Sequence, residues 1–172
     1  FSDCRTADEV RECIRFVRSE TPEAGGIHGY GLRRYERQYI GYTLDKSAEA
    51  WTKAMDNAVI AIMIEKKGAV ENLEEILSVK GVDIVQFGPA DYSISIGKPG
   101  QRQDPEVLQA ERYTIEMALK KGIVPRVEIG SFEQAKPYID MGVRHFCIGW
   151  DIRVIHSWCK EQAVGMRKLL NP

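Results

Sequence analysis

The sequence has no long hydrophobic run, no excess of charge of either sign and no clustered cysteines, and each absence removes a class of function. No apolar run approaches the roughly 20 residues that a bilayer-spanning helix needs, so no membrane partner is expected. Twenty-four Lys and Arg against 25 Asp and Glu leave a net charge of −1. Such a chain has no field with which to draw nucleic acid or anionic lipid. The four cysteines (Cys4, Cys13, Cys147 and Cys159) form no CxxC pair. They suit reduced thiols in a cytoplasmic protein better than a zinc framework or a disulfide scaffold. No secretory signal pattern opens these residues. What is present is ordinary: 172 residues, 44% hydrophobic and 28% charged, enough for one domain with a sizeable core.

Two short apolar runs, 58–64 and 83–87, are rich in β-branched residues and too short for helices, so each reads as a buried strand. Between them, Val70, Leu73, Ile76 and Leu77 recur at helical spacing over 69–77, and Gly81 marks the return. Earlier, Val10, Cys13, Ile14 and Val17 share one face of a helix over 6–19, and 47–57 is a second helix. Later, 104–121 is a long helix opened by Asp104 and Pro105, closed by Lys120, Lys121 and Gly122, with Val107, Ala110, Ile115, Ala118 and Leu119 inward. A strand at 123–129, a helix at 131–141, a strand at 145–148 and a last helix through Leu170 follow. Cys147 and His145 belong to the last of these strands, read as buried. This βαβαβαβα order argues an α/β fold with a parallel sheet. Four strands do not close a barrel of eight.

The chemistry concentrates where the first two strands end. One run leads to Glu65; the other passes through the Gly88-Pro89-Ala90 turn to Asp91. Carboxyl ends of parallel strands are where α/β folds place ligands. Two carboxylates together there repel unless a cation lies between them, which suggests a hard divalent metal with oxygen ligands. The plain alternative is that Glu65, Lys66 and Lys67 begin a solvated helix face and Asp91 caps a helix. Spacing alone leaves both open.

The motif M-I-E-x-x-x-A-x-x-N-L-x-x-I-L, from Met63 to Leu77, is followed by G-V-D-x-V-x-x-G-P-A-D-Y-S, from Gly81 to Ser93. Together they resemble the signature of the HpcH/HpaI family of metal-dependent (class II) 2-keto acid aldolases. A weaker similarity runs from about residue 6 to 166. The resemblance implies a TIM (β/α)8 barrel of the phosphoenolpyruvate/pyruvate type, with this chain as its C-terminal half in one domain and four further strands expected before Phe1. It places the metal ligands on Glu65 and Asp91, with Mg²⁺ or Mn²⁺ expected and Co²⁺ as a further option. It also places the pyruvate carboxylate on the Gly88, Pro89, Ala90 and Asp91 turn. The implied reaction is reversible aldol cleavage of a 4-hydroxy-2-oxo acid to pyruvate and an aldehyde.

The family's proton-transfer histidine and enolate-stabilising arginine come from earlier strands, so no residue here is assigned to either role. Met63 stands where a glutamine is common, and His28 where an arginine is common. The resemblance further implies a homo-oligomer, trimer or hexamer, with the last helix at the interface; Trp150 and Trp158 suit burial against a partner or in a monomer core. Arg33, Arg34 and Arg37, interleaved with tyrosines, suit a loop that packs on a neighbouring subunit or reaches the substrate's far end. They are also the residues that an acyl-CoA substrate would use in the alternative reading, a lyase of the citrate lyase β-subunit type. A non-catalytic binding or assembly relative is the remaining alternative.

Overall fold

The computed structural model describes residues 1–29 and 47–171. The cluster of Arg33, Arg34 and Arg37 lies outside the described residues. The chain divides into two compact units, Phe1–Pro125 and Arg126–Pro172.

In the first unit, α1 (Ala7–Val17) starts at a reciprocal cap. The Thr6 hydroxyl accepts the Glu9 N–H, and the Glu9 carboxylate returns to the Thr6 N–H. Ala7, Val10 and Ile14 are buried, as the helical spacing requires, with Cys13 and Val17 packed beside them. Helix α2 (Ala48–Asp56) is capped by Ser47 and buries Trp51. Its C-terminal end is tied to the end of α1. Arg18 donates to the carbonyls of Met55 and Ala58, and Asp56 accepts from the Ser19 N–H and hydroxyl.

Strand β1 (Ala61–Ile64) alternates as a half-buried strand must, with Ile62 and Ile64 in the core and Ala61 and Met63 on the other face. It pairs in parallel with β2 (Ile84–Phe87), Met63 opposite Gln86. On its other edge Phe1 pairs with it: the Phe1 nitrogen donates to the Ala61 carbonyl, and Met63 N–H donates to Phe1 O. The helix read over 69–77 is two short pieces, α3 (Lys67–Glu71) and α4 (Leu73–Ile76). Asn72 divides them, because its amide bonds the Gly68 and Arg5 carbonyls and holds its own backbone off helical geometry.

After β2 comes α5 (Pro89–Ser95), then α6 (Pro105–Lys121). Asp104 caps α6 by accepting the Glu106 N–H, and Gly122, at φ +74°, ends it in the left-handed conformation. Val107, Ala110, Ile115 and Ala118 face the core as read; Leu119 does not, being 38% exposed, and Thr114 and Met117 are buried instead. Strand β3 (Val124–Ile129) begins here, its Val124 N–H bonded to Asp83 O.

In the second unit, the remainder of β3 pairs in parallel with β4 (His145–Ile148), Val127 opposite Phe146. Between them lie a 3-10 turn (Phe132–Ala135) and α7 (Lys136–Met141). Strand β4 is not the buried strand its apolar residues suggest: His145 and Ile148 are exposed and Cys147 half-buried. The unit ends in α8 (Asp151–Leu170), which buries no residue. No helix among the described residues is long and apolar enough to cross a membrane.

Candidate functional site

Glu65 lies one residue beyond β1 and is 4% exposed. Its position is held from two sides. Oε1 accepts the backbone N–H of Asp3 at 2.9 Å, and among the described residues Oε2 has no hydrogen-bond donor. Gly88, the residue after β2, lies against it. A Cβ on Gly88 would sit 2.7 Å from Glu65 Cβ, 2.8 Å from Oε2 and 3.2 Å from Met63 Cε. Only glycine leaves this carboxylate its place. The Gly88 N–H in turn bonds Ile64 O at 3.0 Å, which ties the ends of the two strands together.

Asp91 belongs to the first turn of α5, and its side chain is 53% exposed. It does not cap the helix. That place falls to Gly88, which has no side chain to offer, so the N–H groups of Ala90 and Asp91 find no acceptor within the helix or from a cap. The two carboxylates read from the sequence therefore meet different environments: Glu65 is buried and fixed, and Asp91 is open to solvent.

The cation among them is Lys66. Sequence reading placed it with Lys67 on a solvated helix face, and only Lys67 is there, at 62% exposed. Lys66 is 18% exposed, with Nζ 2.6 Å from Asp3 Oδ1 and 3.6 Å from Asp91 Oδ1. The reason is local. Lys66 is the residue before α3, with extended backbone (φ −122°, ψ 148°), so its side chain leaves in strand fashion rather than along the helix. Its hydrogen bond to Asp3, with the charges of Asp3, Asp91 and Glu65, holds its pKa above the ordinary lysine value against the opposing effect of desolvation. The same hydrogen bond holds the Asp3 carboxyl below its ordinary value. Asp3 itself has φ +64°, a left-handed backbone rare outside glycine.

Residues 3–155 match the family model described as HpcH/HpaI aldolase/citrate lyase. The chain belongs to that family. It is 35% identical over 153 residues to the 4-hydroxy-2-oxo-heptane-1,7-dioate aldolase of Escherichia coli, covering 88% of this chain and 55% of that protein. It is 31% identical over 152 residues to the hydroxypyruvate/pyruvate aldolase of Delftia acidovorans, covering 88% and 54%. The chain thus spans about half the length of the curated relatives it matches. Among solved structures, an HpcH/HpaI aldolase/citrate lyase family protein from Burkholderia cenocepacia superposes with a TM-score of 0.81 at 21% identity, over 97% of this chain and 63% of that one. The fold is the α/β fold of these TIM-barrel HpcH/HpaI proteins, of which the described residues supply four strands, paired in parallel as β1 with β2 and β3 with β4, and their helices.

Of the residues singled out in the sequence, Glu65 and Gly88 are in contact, Pro89 and Ala90 continue the turn, and Asp91 is reached through Lys66. His28 is occupied locally, its Nδ1 3.1 Å from Phe16 O and its backbone in a bridge with Ser19. Asp3 and Lys66 were not legible as site residues. Among the described residues no three or more His, Cys, Asp or Glu side chains converge as a metal cage would require.

Proposed function

We propose that this chain carries the metal-binding and 2-oxo-acid-binding part of an aldolase site, for reversible cleavage of a 4-hydroxy-2-oxo acid to pyruvate and an aldehyde. The observation that carries the reading is Glu65: a buried side chain with one oxygen held by a backbone N–H and the other, among the described residues, left without a donor beside a glycine that cannot be anything larger. Held in this way by Oε1, Glu65 presents its other oxygen to whatever cation enters the site. The donor set suits a hard divalent ion, Mg²⁺ or Mn²⁺, with Co²⁺ as a further option. Such ions take one or two protein carboxylates and fill the rest of their shell with substrate and water oxygens.

In this reading Glu65 and Asp91 hold the ion. When bound, it supplies the Lewis acidity that stabilises negative charge on the 2-oxo oxygen as the C3–C4 bond breaks. The chain's own part is to place the substrate. The N–H groups of Ala90 and Asp91, without an acceptor among the described residues, receive its carboxylate; Pro89 fixes the backbone at the start of that turn, and Gly88 leaves room for Glu65. Met63, in contact distance of the Gly88 position, gives the pocket an apolar floor. Proton transfer is assigned to no residue of this chain.

The exposed apolar residues of α8 support a homo-oligomer, which the family resemblance alone makes a trimer or hexamer, and the four free cysteines suit a cytoplasmic setting. The whole chain is read as one domain, the C-terminal part of a barrel. The test is decarboxylation of oxaloacetate, which passes through the same pyruvate enolate and needs no choice of aldehyde. Turnover should require Mn²⁺ or Mg²⁺, stop with EDTA, and be absent in Glu65→Gln. Turnover indifferent to EDTA, or none with metal supplied, overturns the reading for this chain.

A further inference from the structure

We infer that Lys66 is a built-in counter-cation of this site, which competes with the divalent ion for Asp91 and sets how tightly that ion is held. The inference rests on the metal reading of Glu65 and Asp91.

Three observations lead to it. The ammonium of Lys66 lies 3.6 Å from Asp91 Oδ1, on the carboxylate that is otherwise open to solvent. It is kept there by the shorter bond to Asp3 Oδ1 at 2.6 Å, not by Asp91 itself. The lysine side chain is 18% exposed, so solvent screens its charge far less than it screens Lys67 at 62%.

The charges then divide into two sets. Asp3, Glu65 and Asp91 carry three negative charges, and Lys66 returns one positive charge. Arg5, which donates to the Asp3 carbonyl, adds its charge on the Asp3 side, and the balance on the side of Glu65 and Asp91 is left negative for a divalent ion. Asp3 draws the ammonium to its own side and so leaves Asp91 partly free. If Asp3 is neutralised, the ammonium is left with Asp91 and Glu65, the two carboxylates read as holding the ion. Lys66 thus opposes metal directly, by repulsion and by occupying a ligand, and Asp3 restrains that opposition. A lysine at this place makes the site exchange its ion readily and keeps Asp91 from standing as an uncompensated charge when no ion is bound.

The two partners therefore give opposite signs in one measurement, Mn²⁺ binding to the whole chain by titration calorimetry or by loss of the free Mn²⁺ signal in electron paramagnetic resonance. Lys66→Met should bind Mn²⁺ more tightly, on the order of tenfold, since a unit charge a few ångströms from the ion is removed. Asp3→Asn should bind it more weakly. It keeps the backbone N–H on Glu65 and a side chain that accepts the left-handed backbone, so the loss combines the missing Asp3 charge with the effect of the freed lysine. In the Lys66→Met background the same Asp3 change should cost less, by the part that depends on the lysine, and that difference is the measure of the freed lysine. Lys66→Gln serves as the second neutral variant, and a thermal melt of each protein shows that it is folded.

If Mn²⁺ binds the unaltered protein and Glu65→Gln abolishes it, the metal reading stands. In that case Lys66→Met and Lys66→Gln binding no tighter than the unaltered protein overturns the role of Lys66 alone. If the unaltered protein binds no Mn²⁺ at millimolar concentration, the metal reading falls and the role of Lys66 with it.

Discussion

Helices α1 and α8 carry the same kind of pattern and meet opposite fates. In α1, Ala7, Val10 and Ile14 recur on one face and are buried. In α8, Ile152, Ile155, Trp158, Met166 and Leu169 also fall on one face by helical spacing, yet they are 55–77% exposed. Periodicity identifies the face that needs covering, but not what covers it. For α1 the cover is part of the same compact unit, the β1 isoleucines and the turns of α3 and α4. For α8 no described residue supplies it.

The contrast can be tested by substitution. Ile14→Ala should remove about 2–5 kcal/mol of unfolding free energy by urea titration, the range for a core isoleucine cut to alanine. A loss below 1 kcal/mol would mean that the α1 face is loosely packed. A thiol reagent offers a second contrast, between Cys4 ahead of α1 and Cys159 on α8. Burial pushes the Cys4 thiol up to about 11, with the neighbouring Cys13 thiol, 3.7 Å away, adding to the shift. At neutral pH it should therefore carry on the order of a hundredth of an ordinary cysteine's thiolate and label correspondingly slowly, while exposed Cys159 labels at once.

The same burial has a pH consequence. Cys4, Tyr92 and Lys66 all have folded pKa values raised above their ordinary ones, the first two by burial and the third by its hydrogen bond to Asp3. The folded state thus keeps protons that the unfolded chain releases. Their contribution is complete below the ordinary thiol value of 9.0 and is lost as pH climbs through the raised values. The urea midpoint should fall between pH 9 and pH 11, and fall less in Cys4→Ala. Removing the α1 cap with Thr6→Ala should cost about 1 kcal/mol. The smallest effect belongs to α8: Trp158→Ser should change the unfolding free energy of dilute protein by less than about 0.5 kcal/mol. A loss that grows with protein concentration would show that a second copy covers this face.

Much of the architecture was legible because short β-branched runs and capped helices announce themselves locally. The strand His145–Ile148 and the helix from Pro105 to Lys121 match their sequence readings to within a residue. The break at Asn72 was hidden because it depends on a bond to Arg5, 67 residues away. Glu65, Gly88 and Asp91 stood out because they end strands and repeat a known motif. Asp3 and Lys66 did not, since their pairing spans 63 positions and exists only once Phe1 lies beside β1. The basic stretch around Arg33 remains a sequence expectation alone.

Asp3 shows how much can be demanded of one position. Its backbone must adopt a left-handed turn, its N–H must reach Glu65, and its carboxylate must hold Lys66. Asparagine and glycine each satisfy the first two demands and fail the third. Proline, with φ fixed negative and no N–H, fails all three. A single conservative change at this position therefore sheds the lysine contact and keeps the main-chain bond that holds the carboxylate. The part of the site built from main chain is the part that outlasts changes in side chain.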